Sequence, residues 1–215
     1  MSLLSGPIAK GLNTTISYSN FTMNSANGTG AHGGAIDING NDTSIYKCIF
    51  ERCSAYDGGT LYIYGEGTVI DGMDFKYGSA LHDGGTIYIL GNNVTISNSS
   101  FMLTNASHNG GAIYVAGNNS NITDSSFSIC IAKNGGDGGA IYIAGYNAYV
   151  MNSEFSVTQS TNGKGGAIYV EGDRADVFNS SFVRANSTAG GIIYIEGDDA
   201  HVVGSSMMYS SSNIV

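Results

Sequence analysis

The chain of 215 residues has no tryptophan, a single proline (Pro7) and three cysteines, and only 12% of its residues carry charge. Each scarcity closes a class of protein. One proline and no three-residue glycine period exclude collagen, although glycine, at 32 residues, is about twice its usual share. Cys48, Cys53 and Cys130 are too few, and odd in number, for a disulfide framework. Buried free thiols are the expectation, with one bridge or an intermolecular link as the alternative. Eight basic residues stand singly against 17 acidic ones for a net charge of −9, so nucleic acid, which demands a basic footprint, is not an expected partner. No apolar run approaches the ~18–20 residues of a membrane helix, and the start, MSLLSGPIAKGL, lacks the charged region and apolar stretch of a signal peptide; membrane insertion is not expected. GxSxG, HExxH, phosphate-loop and CxxC patterns are missing, and no cofactor is expected.

What is present is a repeat. Hydrophobic residues make up 42% of the chain, enough to argue against disorder, and they recur on a fixed beat. Double glycines begin at Gly33, Gly58, Gly84, Gly110, Gly138, Gly165 and Gly190, at intervals of 25 to 28 residues. Phe21, Phe50, Phe75, Phe101, Phe127, Phe155 and Phe182 keep the same beat, with Met207 in the eighth place, and a β-branched residue from Ile16 to Val202 precedes each by five. Such a period marks a solenoid. Alternation is by twos and breaks fall at Gly, Asn, Asp and Ser, so the unit is β rather than helical. In GGAIYV (165–170), Ile168 and Val170 share the core face and Tyr169 the other.

The reading is therefore all-β: one parallel β-helix solenoid over 1–215, of about eight coils of 25–28 residues with three short strands each. Coil boundaries are set at a partial coil 1–32, full coils 33–57, 58–83, 84–109, 110–137, 138–164 and 165–189, and a last coil 190–215. At about 4.8 Å per coil the rod would be ~38 Å long. Small residues five after the Phe (Ala26, Ala55, Ala80, Ala106, Ala132, Ser160, Ser187) suit a cramped corner. Asn98, Asp124, Asn152 and Asn179 suit a partial inward ladder of side-chain hydrogen bonds at a bend.

The motifs GGAIYV and N-x-x-I-x-[ND]-S-x-F, as in NNSNITDSSF (118–127) and GDRADVFNSSF (172–182), resemble the repeats of adhesin-like surface proteins of methanogenic archaea. More distantly they are similar to the GGA[ILV] and FxxN repeats of chlamydial polymorphic outer membrane proteins. Only Phe21 to Asn24 gives FxxN as such; Phe101 to Asn105 and Phe182 to Asn186 are one residue longer. The resemblance covers nearly the whole chain and implies a right-handed coil and a location at the cell surface.

Several features bear on function. Tyr62, Tyr88, Tyr114, Tyr142, Tyr169 and Tyr194 form a line opposite the core, one per coil, with Asp37 in the first matching place. They read as a stabilising aromatic ladder, as a stripe for sugar rings, or as a surface for packing against another rod. Neither terminus reads as a capping element, so head-to-tail stacking into filaments is an expectation, with a cap in flanking sequence as the alternative. Glu171 and Glu196 occupy equivalent positions, as a glycosidase pair would, but other coils hold Asn39, Tyr64, Leu90, Ala116 and Ala144 there. His82 and His108 match in adjacent coils and read as turn residues, without a third metal ligand in sight. Sequons begin at Asn13, Asn20, Asn27, Asn41, Asn93, Asn105, Asn118, Asn121 and Asn186, and at Asn98 and Asn179, which an inward ladder would keep unmodified. The leading expectation is a non-enzymatic extracellular rod, structural or adhesive, associating with itself end to end or side by side. A carbohydrate-binding module on the tyrosine stripe, with surface glycans as partners, comes second, and a glycan-cleaving enzyme third.

Overall fold

The computed structural model describes residues 8–212. Among them all regular structure is strand, arranged in three parallel sheets. The first runs from Ile8–Ala9 through Ile36–Ile38 and six further GGAIYV-type strands to Ile193–Ile195; the second runs from Thr15–Ser17 to His201–Val203. These two have eight strands each, so the coil completes about seven turns. The third sheet starts at Asn20–Thr22 and carries the phenylalanines; its central strands, such as Ser100–Ala106 and Ser126–Ala132, reach seven residues. Among the described residues no helix is long and apolar enough to cross a membrane.

Register is one-to-one. Ile113 pairs with Ile141 and Tyr114 with Tyr142, Ile96 with Ile122, and Phe101 with Phe127. Parallel in-register pairing places equivalent side chains one strand spacing apart, so each landmark becomes a column. Six phenylalanines from Phe50 to Phe182 are fully buried, and the column from Phe21 to Phe182 stacks at centroid separations of 4.7 to 5.2 Å. The Ile, Leu and Val of the first two sheets complete the core. The three cysteines are free and buried within this core, and burial pushes the Cys130 thiol up to about 12.

Coil length varies at one place only. From each double glycine to the next glycine, then to the Ile/Val, to the Phe, and to the small residue after it, the spacing is the same in every coil. The whole variation lies in the corner that follows, where the next double glycine comes three to seven residues later.

The double glycine answers two separate demands. The first of the pair, Gly165, has φ +62°, a left-handed conformation that side chains strain to adopt. At the second, Gly166, a Cβ would fall on the carbonyl oxygen of Gly191 and lie 2.6 Å from the Asn186 nitrogen, so neighbouring coils meet there backbone to backbone.

One expectation is corrected at the opposite corner. Asn98, Asp124, Asn152 and Asn179 have φ of 46° to 51° and are exposed rather than inward. The left-handed turn swings them out and turns the following residue in. The inward ladder is made by Ser99, Ser125, Ser153 and Ser180: each hydroxyl accepts the backbone N–H of the equivalent residue one coil earlier and donates to the carbonyl two residues before its own. The outer residues keep fragments of a ladder, with Asn152 donating to Asp124 at 3.2 Å and Asn98 to Asp71 at 2.7 Å.

Three substitutions test the glycine contact and the aromatic column. Gly166→Ala should destabilise the rod by at least about 2 kcal/mol in urea unfolding, whereas Gly30→Ala, at φ +77° with open space around it, should cost about 1 kcal/mol. Equal costs would contradict the backbone-contact argument. Phe127→Ala, which interrupts the aromatic column, should cost about 3–5 kcal/mol.

Candidate functional site

The tyrosine line is a stack. Successive rings from Tyr62 to Tyr194 lie 4.7 to 5.6 Å apart with interplanar angles of 5° to 23°. Each ring therefore gives its faces to its neighbours and shows solvent an edge. His32 extends the stack at 4.1 Å from Tyr62, taking the aromatic place that Asp37 leaves, and Lys164 Nζ lies 4.7 Å from the centre of Tyr194. The expected open stripe is also partly covered: Tyr62, Tyr88, Tyr114 and Tyr194 are half-buried, while Tyr142 and Tyr169 are 9% and 4% exposed.

The carboxylates considered for catalysis are tied to this stack. Tyr142 donates its hydroxyl proton to Glu171 at 2.8 Å, and Tyr169 donates to Glu196. Lys164 also bonds Glu196, and these two donors hold that carboxyl below its usual range. A glycosidase acid needs the opposite shift.

Loss of hydration pushes Tyr62 and Tyr114 up to about 12, helped by the carboxylates of Asp57 and Asp83 respectively, and raises Tyr88, Tyr142 and Tyr169 in the same direction. An unfolded tyrosine ionises near 10. Above that pH the unfolded chain releases protons that the stack retains, so this contribution to stability is complete below about pH 10 and is lost as pH rises through about 12. Native protein should develop tyrosinate absorbance later than urea-unfolded protein, and its melting temperature should fall over that window. Coincident titration curves would contradict the packed stack.

The histidines have partners that a like-with-like comparison of coils misses. His82 Nδ1 lies 3.0 Å from Asp57 Oδ1 and 3.3 Å from Asp83 Oδ2, and His108 Nδ1 lies 2.9 Å from Asp83 Oδ1. The contact is diagonal, joining the residue just before a double glycine to the residue two before the next one, 25 positions on. That offset is the signal in the sequence. Asp57 Oδ1 also accepts the Asp83 N–H, and Asp83 Oδ1 the Asn109 N–H, so the backbone of the next coil fixes both carboxylates. The imidazoles of His82 and His108 stack at 5.2 Å, with Tyr56 stacked on His82 at the same distance.

Of the sequon asparagines, Asn13, Asn20, Asn27, Asn41, Asn93 and Asn186 are exposed and Asn105, Asn118 and Asn121 half-exposed; Asn98 and Asn179 join the exposed set. An open polar groove of about 480 Å³ runs along the corner formed by Asn98, Asp124, Asn152, Glu154 and the serines between them. Comparison with protein-family models, with curated proteins and with solved structures gives no match for this chain.

Proposed function

We propose that the protein is a non-enzymatic extracellular rod, structural or adhesive, that associates end to end into a filament or sheath at the cell surface. The observation that carries this reading is the one-to-one register in which each coil stacks on its equivalent in all three parallel sheets, a geometry that an equivalent coil of a second copy can continue. At the outer edge of the last described coil, Ile195, Val202 and Met207 are 37%, 37% and 45% exposed, whereas the inner members of their columns are almost fully buried. Val203 and Met208 beside them are 52% and 54% exposed. All three sheets are parallel at this edge, so it accepts one more coil in the same register. The coil that carries Ile16 and Phe21 in a second copy offers matching side chains, because these two stand in the same columns as Val202 and Met207 and are only partly covered. Such contact is heterologous and does not close, which gives filaments. The resemblance to archaeal surface repeats and the exposed sequons agree with a location outside the cell.

Sedimentation velocity and electron microscopy over rising concentration should show end-to-end oligomers, and Val202→Lys with Met207→Lys should abolish them while leaving the circular dichroism of the monomer unchanged. A monomer that persists at high concentration, or oligomers indifferent to the two lysines, would overturn end-to-end assembly; the latter result would point to lateral packing.

Glycan contact is the second reading, and the polar groove favours it more than the tyrosine edges do. Asp124→Ala with Asn152→Ala should abolish retention on a glycan array; unchanged retention would reject the groove.

A further inference from the structure

We propose that His82, Asp83 and His108, with Asp57 beside them, form a binding site for a divalent first-row transition ion of the Zn²⁺ type. One donor atom from each of His82, Asp83 and His108 lies within 4.8 Å of the other two. The Asp83 carboxylate faces both imidazoles, one oxygen to each: Oδ2 stands 3.3 Å from His82 Nδ1 and Oδ1 stands 2.9 Å from His108 Nδ1. Ligands at about 2.0–2.2 Å from a tetrahedral ion are about 3.3 Å apart, the spacing of Asp83 Oδ2 from His82 Nδ1, and Oδ1 stands a few tenths of an ångström closer to His108. The remaining edge, between the imidazoles, has to shorten. His108 is the side chain that moves, because it is about half exposed at 48% while Asp83 is 7% exposed and pinned by the Asn109 N–H.

Charge and donor type agree. Asp57 and Asp83 bring two formal negative charges, and their ion pairs among the described residues are all to histidines, with no lysine or arginine. A divalent cation matches that charge, and two imidazoles with two carboxylates suit zinc-like ions rather than Ca²⁺ or Mg²⁺, which take oxygen ligands. The carboxylates are oriented by backbone donors of the next coil, the kind of outer support that metal ligands require. A neutral imidazole that carries its proton on Nε2 presents a free Nδ1 lone pair to the ion, so coordination through Nδ1 needs only that tautomer. Solvent fills any remaining coordination position.

The test uses the purified full chain, stripped with EDTA and titrated with Zn²⁺ by calorimetry and with Co²⁺ by visible absorption. One saturable ion per chain is expected, with a rise in melting temperature on Zn²⁺ addition and no displacement by excess Ca²⁺. Asp83→Asn and His108→Gln should each weaken Zn²⁺ binding tenfold or more, whereas His201→Gln, at an exposed pair elsewhere on the rod, should leave it unchanged. If Asp83→Asn fails to fold, the exposed His108→Gln decides alone. No saturable binding, equal competition by Ca²⁺, or affinity unchanged in His108→Gln would overturn the site.

Discussion

Parallel in-register pairing between coils is the constraint from which the rest follows. Because Phe101 must lie over Phe75 and under Phe127, whatever occupies one coil is judged against its own counterpart at a single strand spacing. Aromatic rings tolerate that spacing well, since it is close to their stacking distance, and the protein uses it twice, in the Phe column inside and the Tyr column outside. Charge tolerates it poorly. In the column before the double glycines the order is His32, Asp57, Asp83, Asn109, Asp137, Lys164, Ala189: a neutral amide separates Asp83 from Asp137, a lysine follows, and the two adjacent aspartates have His82 placed between them. Each acidic or amide side chain in that column also accepts the backbone N–H of the next member, so the column is a ladder in its own right.

Most of the architecture was legible in the sequence because the repeat supplies the same measurement many times. The three sheets, the core faces and the Phe column follow from spacing alone, and the left-handed glycine corner follows from Gly-Gly. What spacing did not give was which side of the chain a residue faces once a turn intervenes. Asn98 and Ser99 are equally polar, and only the positive φ at Asn98 decides that the serine goes inside. Sequence is equally silent at Leu103, Ile129 and Val157, which sit in the left-handed region midway along the third-sheet strands although two of them are β-branched. Ladder pairing on both flanks holds the backbone there against local preference.

The candidate sites were legible in position but not in geometry. Tyr114 was placed on the correct side, yet whether a column of rings shows faces or edges depends on side-chain torsions, and stacking turned the edges out. His82 and His108 were matched to each other, whereas their stronger partners are Asp57 and Asp83, one place out of step. A comparison down columns finds what repeats; chemistry between columns requires the diagonal neighbours as well.

The corner between the small residue and the double glycine, the one place where coil length varies, gives the rod a further property. All other positions are bound to a column, so an inserted residue there would shift every side chain after it out of line. At this corner two to six residues are accommodated without disturbing Phe, Ile or Tyr. The corners lie one above another along a single edge, each at its own height. The molecule thus separates a rigid ruler from a row of independently editable notches, and His82, Asp83 and His108 occupy two of them.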